Sequence, residues 1–334
     1  MNTTLCAFAA AVGFGISVLL GKWLIPFLHK LKYGQPINDI GPTWHKNKQG
    51  TPTMGGIMFI TATVISCVIF VAVFYFTPED VEVNLVKIRL WTGIVMSLAF
   101  AAIGFFDDYL KVKRKDNKGL SAKQKLLMQL IVGLFYAVTV FVSGQTTMNI
   151  PFIGNVDIGL LFIPASLFII TATVNAVNLT DGVDGLASSV TFVAALFFIA
   201  AGNLMGVHSA SIAAAALAGA LLGFLVYNFH PAKVFMGDVG SMFLGGMVCA
   251  LAFGINQPIL ILPVGIIYFI ETLSVMIQVT YFKLTKGKRL FKMTPIHHQF
   301  EMSGWSEMKI VSVFSFVTII AGVICLALVM LGYC

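Results

Sequence analysis

Residues 101–125 read AAIGFFDDYLKVKRKDNKGLSAKQK. An apolar run long enough to cross a bilayer ends there in two adjacent carboxylates, Asp107 and Asp108. It then meets seven basic residues: Lys111, Lys113, Arg114, Lys115, Lys118, Lys123 and Lys125. An Asp at the bilayer centre costs about 2.5–3.5 kcal/mol on insertion scales, so the pair is placed most cheaply where lipid meets water. The acid pair and the cationic loop therefore share one membrane surface. A charged stop after a helix explains this stretch taken alone, but four further segments end in the same way.

The surrounding chain sets the class. Its 334 residues are 58% hydrophobic and 10% charged, with a mean hydropathy of +0.92, whereas soluble domains carry about 25% charged residues. This composition predicts an all-α polytopic membrane protein forming one integral unit, residues 1–334. Ten apolar runs fit spanning helices, at residues 5–28, 54–76, 88–106, 126–142, 158–177, 186–205, 209–229, 239–255, 259–282 and 310–331. Ten spans put both termini on one side. The connections 29–54, 107–125, 178–184, 228–238 and 283–309 hold 18 of the 21 Lys and Arg residues, which predicts that they are cytoplasmic and that both termini are extracytoplasmic. The net charge of +7 is thus a topology signal with possible phosphate contacts, not a nucleic-acid footprint.

Other features bound the reading further. Cys6, Cys67, Cys249, Cys325 and Cys334 are scattered without metal-like spacing, so neither a disulfide framework nor a zinc site is expected. The first run lacks a small-residue cleavage pattern and is kept as a mature helix. On the opposite face, residues 77–86 carry Glu79, Asp80 and Glu82, and residues 144–159 contain Pro151 and Gly154, which suit a small hairpin. Glu271 lies deep in the ninth run, either as a functional carboxylate or as a protonated acid that packs helices together.

The polar connections carry the chemistry. In KQGTPTMGG (48–56), Pro52 suits a first helical turn whose free N–H groups, with Thr51, Thr53, Gly55 and Gly56, could receive an anion; a plain N-cap explains the segment equally. In NLTDGVDG (178–185), Asn178, Asp181 and Asp184 recur every third residue and share a face if the turn is helical; an Asx-turn is the structural alternative. YNFHPAKVFMGDVGS (227–241) brings Asn228, His230, Lys233, Phe235 and Asp238 to the same surface, where Asp238 is either a site residue or a helix cap. PIHHQFE (295–301) adds His297, His298 and Glu301, as groups for metal, proton or phosphate or as a solvated loop pair.

Five carboxylates, Asp107, Asp108, Asp181, Asp184 and Asp238, cannot crowd one face as bare anions. Two unit charges about 6 Å apart repel by about 3 kcal/mol at an effective dielectric near 20. A divalent cation removes that penalty, and all-oxygen ligands favour magnesium or manganese over zinc. Acids for a metal and cations for phosphates, on a membrane-embedded body, point to phosphoryl chemistry at the bilayer surface.

These same stretches, GTPTMGG, FFDDYLK, NLTDGVDGLA, NFHPAKVFMGDVGS and PIHHQFE, closely resemble the phospho-N-acetylmuramoyl-pentapeptide transferase family, in family order and over essentially the whole chain. The wider superfamily of polyprenyl-phosphate N-acetylhexosamine-1-phosphate transferases shares the acidic motifs, while PIHHQFE resembles the muramoyl-pentapeptide branch. Gln299 departs from the pattern, since many relatives carry a third His there.

The resemblance implies transfer of phospho-MurNAc-pentapeptide from UDP-MurNAc-pentapeptide to undecaprenyl phosphate, giving lipid I and UMP, in a bacterial cytoplasmic membrane. It implies Mg2+, replaceable by Mn2+, held by Asp238 with Asp108. Asp107 and Asp108 would be catalytic acids, and His297 a polar group near phosphate. Lys48, Thr53, Lys125, Asn178, Asp181, Asp184, Asn228, Phe235 and His298 would line the substrate cleft. Ten helices and a homodimer are implied as well. Two other functions explain parts of the same pattern: transfer of GlcNAc-1-phosphate to the same lipid, and ion-coupled transport with Glu271 as carrier. The transporter is disfavoured by the clustering of ionisable groups in loops and not at mid-membrane.

Overall fold

Each of the ten apolar runs becomes helical, the backbone state that satisfies its own N–H and C=O groups where no water does so. The computed structural model describes residues 2–31, 48, 50–75, 84–114 and 119–333. The helices are α1 (Asn2–Lys30), α2 (Gly56–Tyr75), α3 (Asn84–Arg114), α4 (Ala122–Val142), α5 (Phe162–Thr180), α6 (Leu186–Leu204), α7 (His208–Asn228), α8 (Gly237–Gly254), α9 (Ile261–Val264), α10 (Ile266–Leu284), α11 (Ile296–Glu301) and α12 (Glu307–Met330). Among the described residues, nine are long and apolar enough to cross a membrane; in α2 the corresponding apolar run is the shorter Gly56–Val71. The protein is a multi-pass membrane protein. Glu79, Asp80, Glu82, Lys115, Lys118 and Cys334 lie outside the described residues.

The hairpin expected around Pro151 is present. Strand β1 (Thr147–Ile150) pairs antiparallel with β2 (Gly154–Asp157), Thr147 opposite Asp157. Two other expectations are corrected. The run 259–282 is not one helix: Pro258 opens a short 3-10 turn, α9 contains Pro263, and Gly265 leaves helical geometry (φ −93°, ψ 23°) before α10 begins. A proline supplies no N–H and breaks the ladder where it falls. Pro52 is not in a first helical turn either, because α2 starts only at Gly56. The N–H groups of Gly55 and Gly56 are taken by the carbonyls of Phe235 (2.9 Å) and Met236 (3.0 Å), and Phe235 N–H donates to Pro52 (2.8 Å). That helix start is therefore closed to an anion.

Helices α7 and α8 form the inside of the bundle. Within their apolar windows 83% and 94% of residues are buried, against 22% in α12. Their sequences explain this: HSASIAAAALAGALLGFLVYN and GDVGSMFLGGMVCALAFG are built from small residues, which let backbones approach closely where the hydrophobic effect cannot drive packing. Gly104 of α3 shows how tight the approach is, since a Cβ there would collide with the backbone carbonyl of Asp238. This contact brings the carboxyl end of α3, with Asp107 and Asp108, onto the first turn of α8.

Candidate active site

The acid pair and Asp238 meet because α3 and α8 cross at that point. Asp107 Oδ1 accepts the Leu120 N–H at 2.7 Å, and its Oδ2 lies 2.6 Å from Lys111 Nζ, one helical turn onward. Asp108 is fully buried; its Oδ2 accepts the Val239 N–H at 3.1 Å. Asp238 turns away from its own helix start, so of the two readings the sequence left for it the cap does not hold. Its Oδ2 receives Lys111 at 3.0 Å and Lys125 at 2.9 Å, and its Oδ1 receives the Asn178 amide at 2.9 Å. Capping of α8 falls to Asp108 instead. Lys125 is positioned by its own helix start, where Ser121 and Gln124 form a reciprocal capping box.

A second group of charges faces the first. Lys48 Nζ lies between Asp184 Oδ1 (2.7 Å) and Glu307 Oε2 (2.6 Å). Asp184 Oδ2 accepts the Ala232 N–H at 3.0 Å and lies 3.1 Å from His230 Nδ1, while Glu307 also accepts the Asp184 N–H at 3.0 Å. Glu307 stands in the first turn of α12, just after the N-cap Ser306.

Between the two groups is a cavity of about 250 Å³, lined by Lys48, Thr53, Lys111, Asp181, Gly182, Val183, Asp184, Asn228, Phe235, Gly237 and Asp238. Asp181 sits at the C-terminus of α5, outside the spanning segment. Burial, and then the carboxylates of Asp238, Asp108 and Asp184, push its pKa up to about 8, with Lys48 pulling the other way.

Most of the sequence-derived residues thus converge. Asp107, Asp108, Lys125 and Asn178 build the wall behind Asp238, and the others line the cavity directly. Asn228 has its amide committed to structure, accepting from Ser188 Oγ at 3.0 Å and donating to the Val234 carbonyl at 3.0 Å. His297 and His298 do not line the cavity; His297 stands behind Gly182 of the turn 181–184. His297 is buried beside Glu271, and His298 Nδ1 lies 2.6 Å from Glu301 Oε2. Gln299, in place of the third His, holds the loop by accepting the Lys292 N–H at 2.6 Å. Lys111 and Glu307 had no role in the sequence reading. Lys111 was legible as the position one turn after Asp107, whereas nothing in the sequence tied Glu307 to Lys48.

A divalent metal fits this donor set. Asp107, Asp108 and Asp238 each offer an oxygen, all within 4.8 Å of one another, and Asp108 Oδ1 is buried without a hydrogen-bond partner. Lys111 is 3.7 Å from that oxygen, beyond hydrogen-bond reach. Three carboxylate oxygens suit Mg2+ or Mn2+. Asp184, His230 and Glu307 also lie within 4.8 Å of one another, with the Lys48 ammonium between the two carboxylates.

Comparison with known proteins decides the family. Residues 90–256 match the model for glycosyl transferase family 4, and residues 48–60 match phospho-N-acetylmuramoyl-pentapeptide-transferase signature 1. A phospho-N-acetylmuramoyl-pentapeptide-transferase from Clostridium perfringens (strain SM101 / Type A) is 46% identical over 313 residues, 93% of each chain. One from Clostridium botulinum (strain Eklund 17B / Type B) is 46% identical over 97% of this chain and 96% of its own. The chain belongs to the phospho-N-acetylmuramoyl-pentapeptide-transferase family. A Listeria welshimeri relative of the same name is 45% identical over 96% of both chains. The family signature at 48–60 spans Lys48 and Thr53, which line the cavity, and the glycines that pair with residues 235–236.

Proposed function

We propose that the protein transfers phospho-MurNAc-pentapeptide from its UDP carrier to undecaprenyl phosphate, forming lipid I and releasing UMP, at the cytoplasmic face of a bacterial cell membrane. The observation that carries this reading, beside the family, is one cavity walled by Lys111, Lys125 and the three-carboxylate group on one side and by Lys48 on the other. Joining two phosphate-bearing anions calls for charge neutralisation and in-line positioning more than for covalent chemistry.

Lys48, Lys111 and Lys125 supply the positive charge that a diphosphate and a lipid phosphate require. Phe235, half-buried in the cavity wall, offers a ring face for uracil. Asp238 and Asp108, with Asp107 beside them, would hold Mg2+, which when bound neutralises phosphate charge and stabilises the departing UMP. Asp107 has a donor on each oxygen, which favours its acting as an anchor for Lys111 and the Leu120 loop. Direct attack by the lipid phosphate is accordingly preferred over an intermediate on Asp107. The excess of Lys and Arg in the five connections supports the cytoplasmic placement and extracytoplasmic termini.

The test is reconstitution. Purified protein with UDP-MurNAc-pentapeptide, undecaprenyl phosphate and Mg2+ should release UMP and form lipid I, and excess UDP-GlcNAc should not compete. Preference for UDP-GlcNAc would reassign the donor, and no UMP with either donor would sink the reading.

A further inference from the structure

Two histidines follow Pro295, and each has its own glutamate. His298 is paired within its helix, whereas His297 reaches across to Glu271 on α10, where Oε2 lies 3.1 Å from Nδ1 and 3.4 Å from the His297 backbone nitrogen. Both partners are buried, Glu271 at 0% and His297 at 1% exposure. The Nδ1–Oε2 approach is off the line of a straight hydrogen bond, and Glu271 Oε1 and His297 Nε2 have no hydrogen-bond partner among the described residues. Uncompensated polar atoms in such a place are costly, so a packing role alone is poorly served by this pair. Hydrogen bonds of this kind are often long in an empty site and tighten when substrate binds.

The far edge of the His297 ring has a specific neighbour. Nε2 fills the space that a side chain would need at Gly182, and Gly182 belongs to the turn between Asp181 and Asp184 that lines the cavity. The order in space is Glu271, His297, Gly182, cavity.

We propose that Glu271 is a positioning residue for the transfer reaction: its carboxylate holds the Nδ1 face of His297, so that Nε2 is presented without a proton toward the 181–184 turn. Ionised, Glu271 can only accept, which puts the proton of a neutral His297 on Nδ1. Carboxylates behind metal-binding imidazoles fix tautomer and ring orientation in this way, and losing one typically costs about 10–100-fold in affinity or activity. This assignment accounts for a carboxylate deep in an apolar helix, which a solvated or purely helix-packing acid does not. It also explains why position 182 is glycine. The proposal rests on the transfer reading above.

The experiment combines kinetics with a readout that needs no turnover. Glu271→Ala should lower kcat about tenfold to a hundredfold, with KM for the UDP substrate within about twofold. Glu271→Gln, whose amide oxygen can still accept from Nδ1, should recover at least about threefold of that loss. In a His297→Ala background, Glu271→Ala should cause no further loss. Additive losses in the double variant would overturn the proposal, as would a change confined to KM. Nitrogen-15 spectra of His-labelled wild type should show a protonated Nδ1 and a bare Nε2 at His297; the opposite tautomer would overturn it even if the Ala variant does not fold. Failure of the wild type to make lipid I bears on the transfer reading, while the tautomer bears on this one.

Discussion

Asp108 on α3 accepts the backbone N–H of Val239 in the first turn of α8, Oδ2 to N at 3.1 Å. One oxygen of this carboxylate therefore caps a helix from outside it, and the other, Oδ1, is buried and open. Asp108→Asn keeps an oxygen for the cap but loses the charge that a cation needs. It should stay as thermostable as the wild type and lose most turnover, while Asp108→Ala should also lose about 1 kcal/mol of stability. Melting curves in detergent beside turnover assays separate the two functions.

Asp238 receives two ammonium groups and an amide, all from outside its own helix. Lys111 keeps Asp107 as a partner when Asp238 is neutralised. Asp238→Asn should therefore melt close to the wild type with turnover reduced about a hundredfold or more, the loss expected for a principal electrostatic stabiliser. Chelation should abolish wild-type activity and added Mg2+ or Mn2+ restore it. Wild-type turnover in excess EDTA would remove the metal from the scheme.

Gly104 allows the backbone contact between α3 and α8. Gly104→Ala forces the helices apart where they carry Asp107, Asp108 and Asp238, and should cost about 1–3 kcal/mol, as overpacking does. Activity should fall further than stability, because the acids separate before the bundle opens. An Ala variant with unchanged melting temperature and turnover would show that the approach is not constrained.

Asp181 titrates at about 8 in the folded protein against an ordinary 3.8, with burial as the largest cause. Between those values the folded chain holds a proton that the unfolded chain has released. Its contribution to stability is complete below the unfolded value and is lost as pH rises through about 8. Without divalent cation, the melting temperature of wild type should fall from pH 5 to pH 9 more steeply than that of Asp181→Asn. Parallel curves would mean that Asp181 is ionised at neutral pH.

Cysteine substitutions test the orientation of the bundle. Lys288, among the cations after α10, and Asn155, in the exposed β2 strand, should react with a membrane-impermeant thiol reagent from opposite sides, Lys288 from the cytoplasm. Labelling of both from one side would refute the assigned topology.

The helices and the acid clusters were legible because hydropathy and charge act locally along the chain. Two kinds of feature were not. The break between α9 and α10 lay inside an unbroken apolar run, whose Pro263 and Gly265 were outweighed by hydropathy. The pairing of Gly55 and Gly56 with the carbonyls of Phe235 and Met236 joins segments about 180 residues apart, as does much of the site's wiring. Glu307 reaches Lys48 across 259 positions, and a helix-starting acid carries no mark of such a partner. Glu271 was recognisable as unusual from its apolar surroundings, but its partner was visible only once α10 and α11 stood side by side.

The bond between Asp108 and Val239 spans 131 residues, and this orders the biogenesis of the protein. While the ribosome is still extending α7, Asp107 and Asp108 have been made but Asp238 has not, and the α8 amide that Asp108 will cap does not yet exist. Until then the two carboxylates have Lys111, the Leu120 N–H and the bilayer boundary to shelter them. A chain truncated before residue 237 would insert seven apolar helices and still lack the third carboxylate of the cluster, so the candidate site cannot close until the eighth long helix enters the membrane.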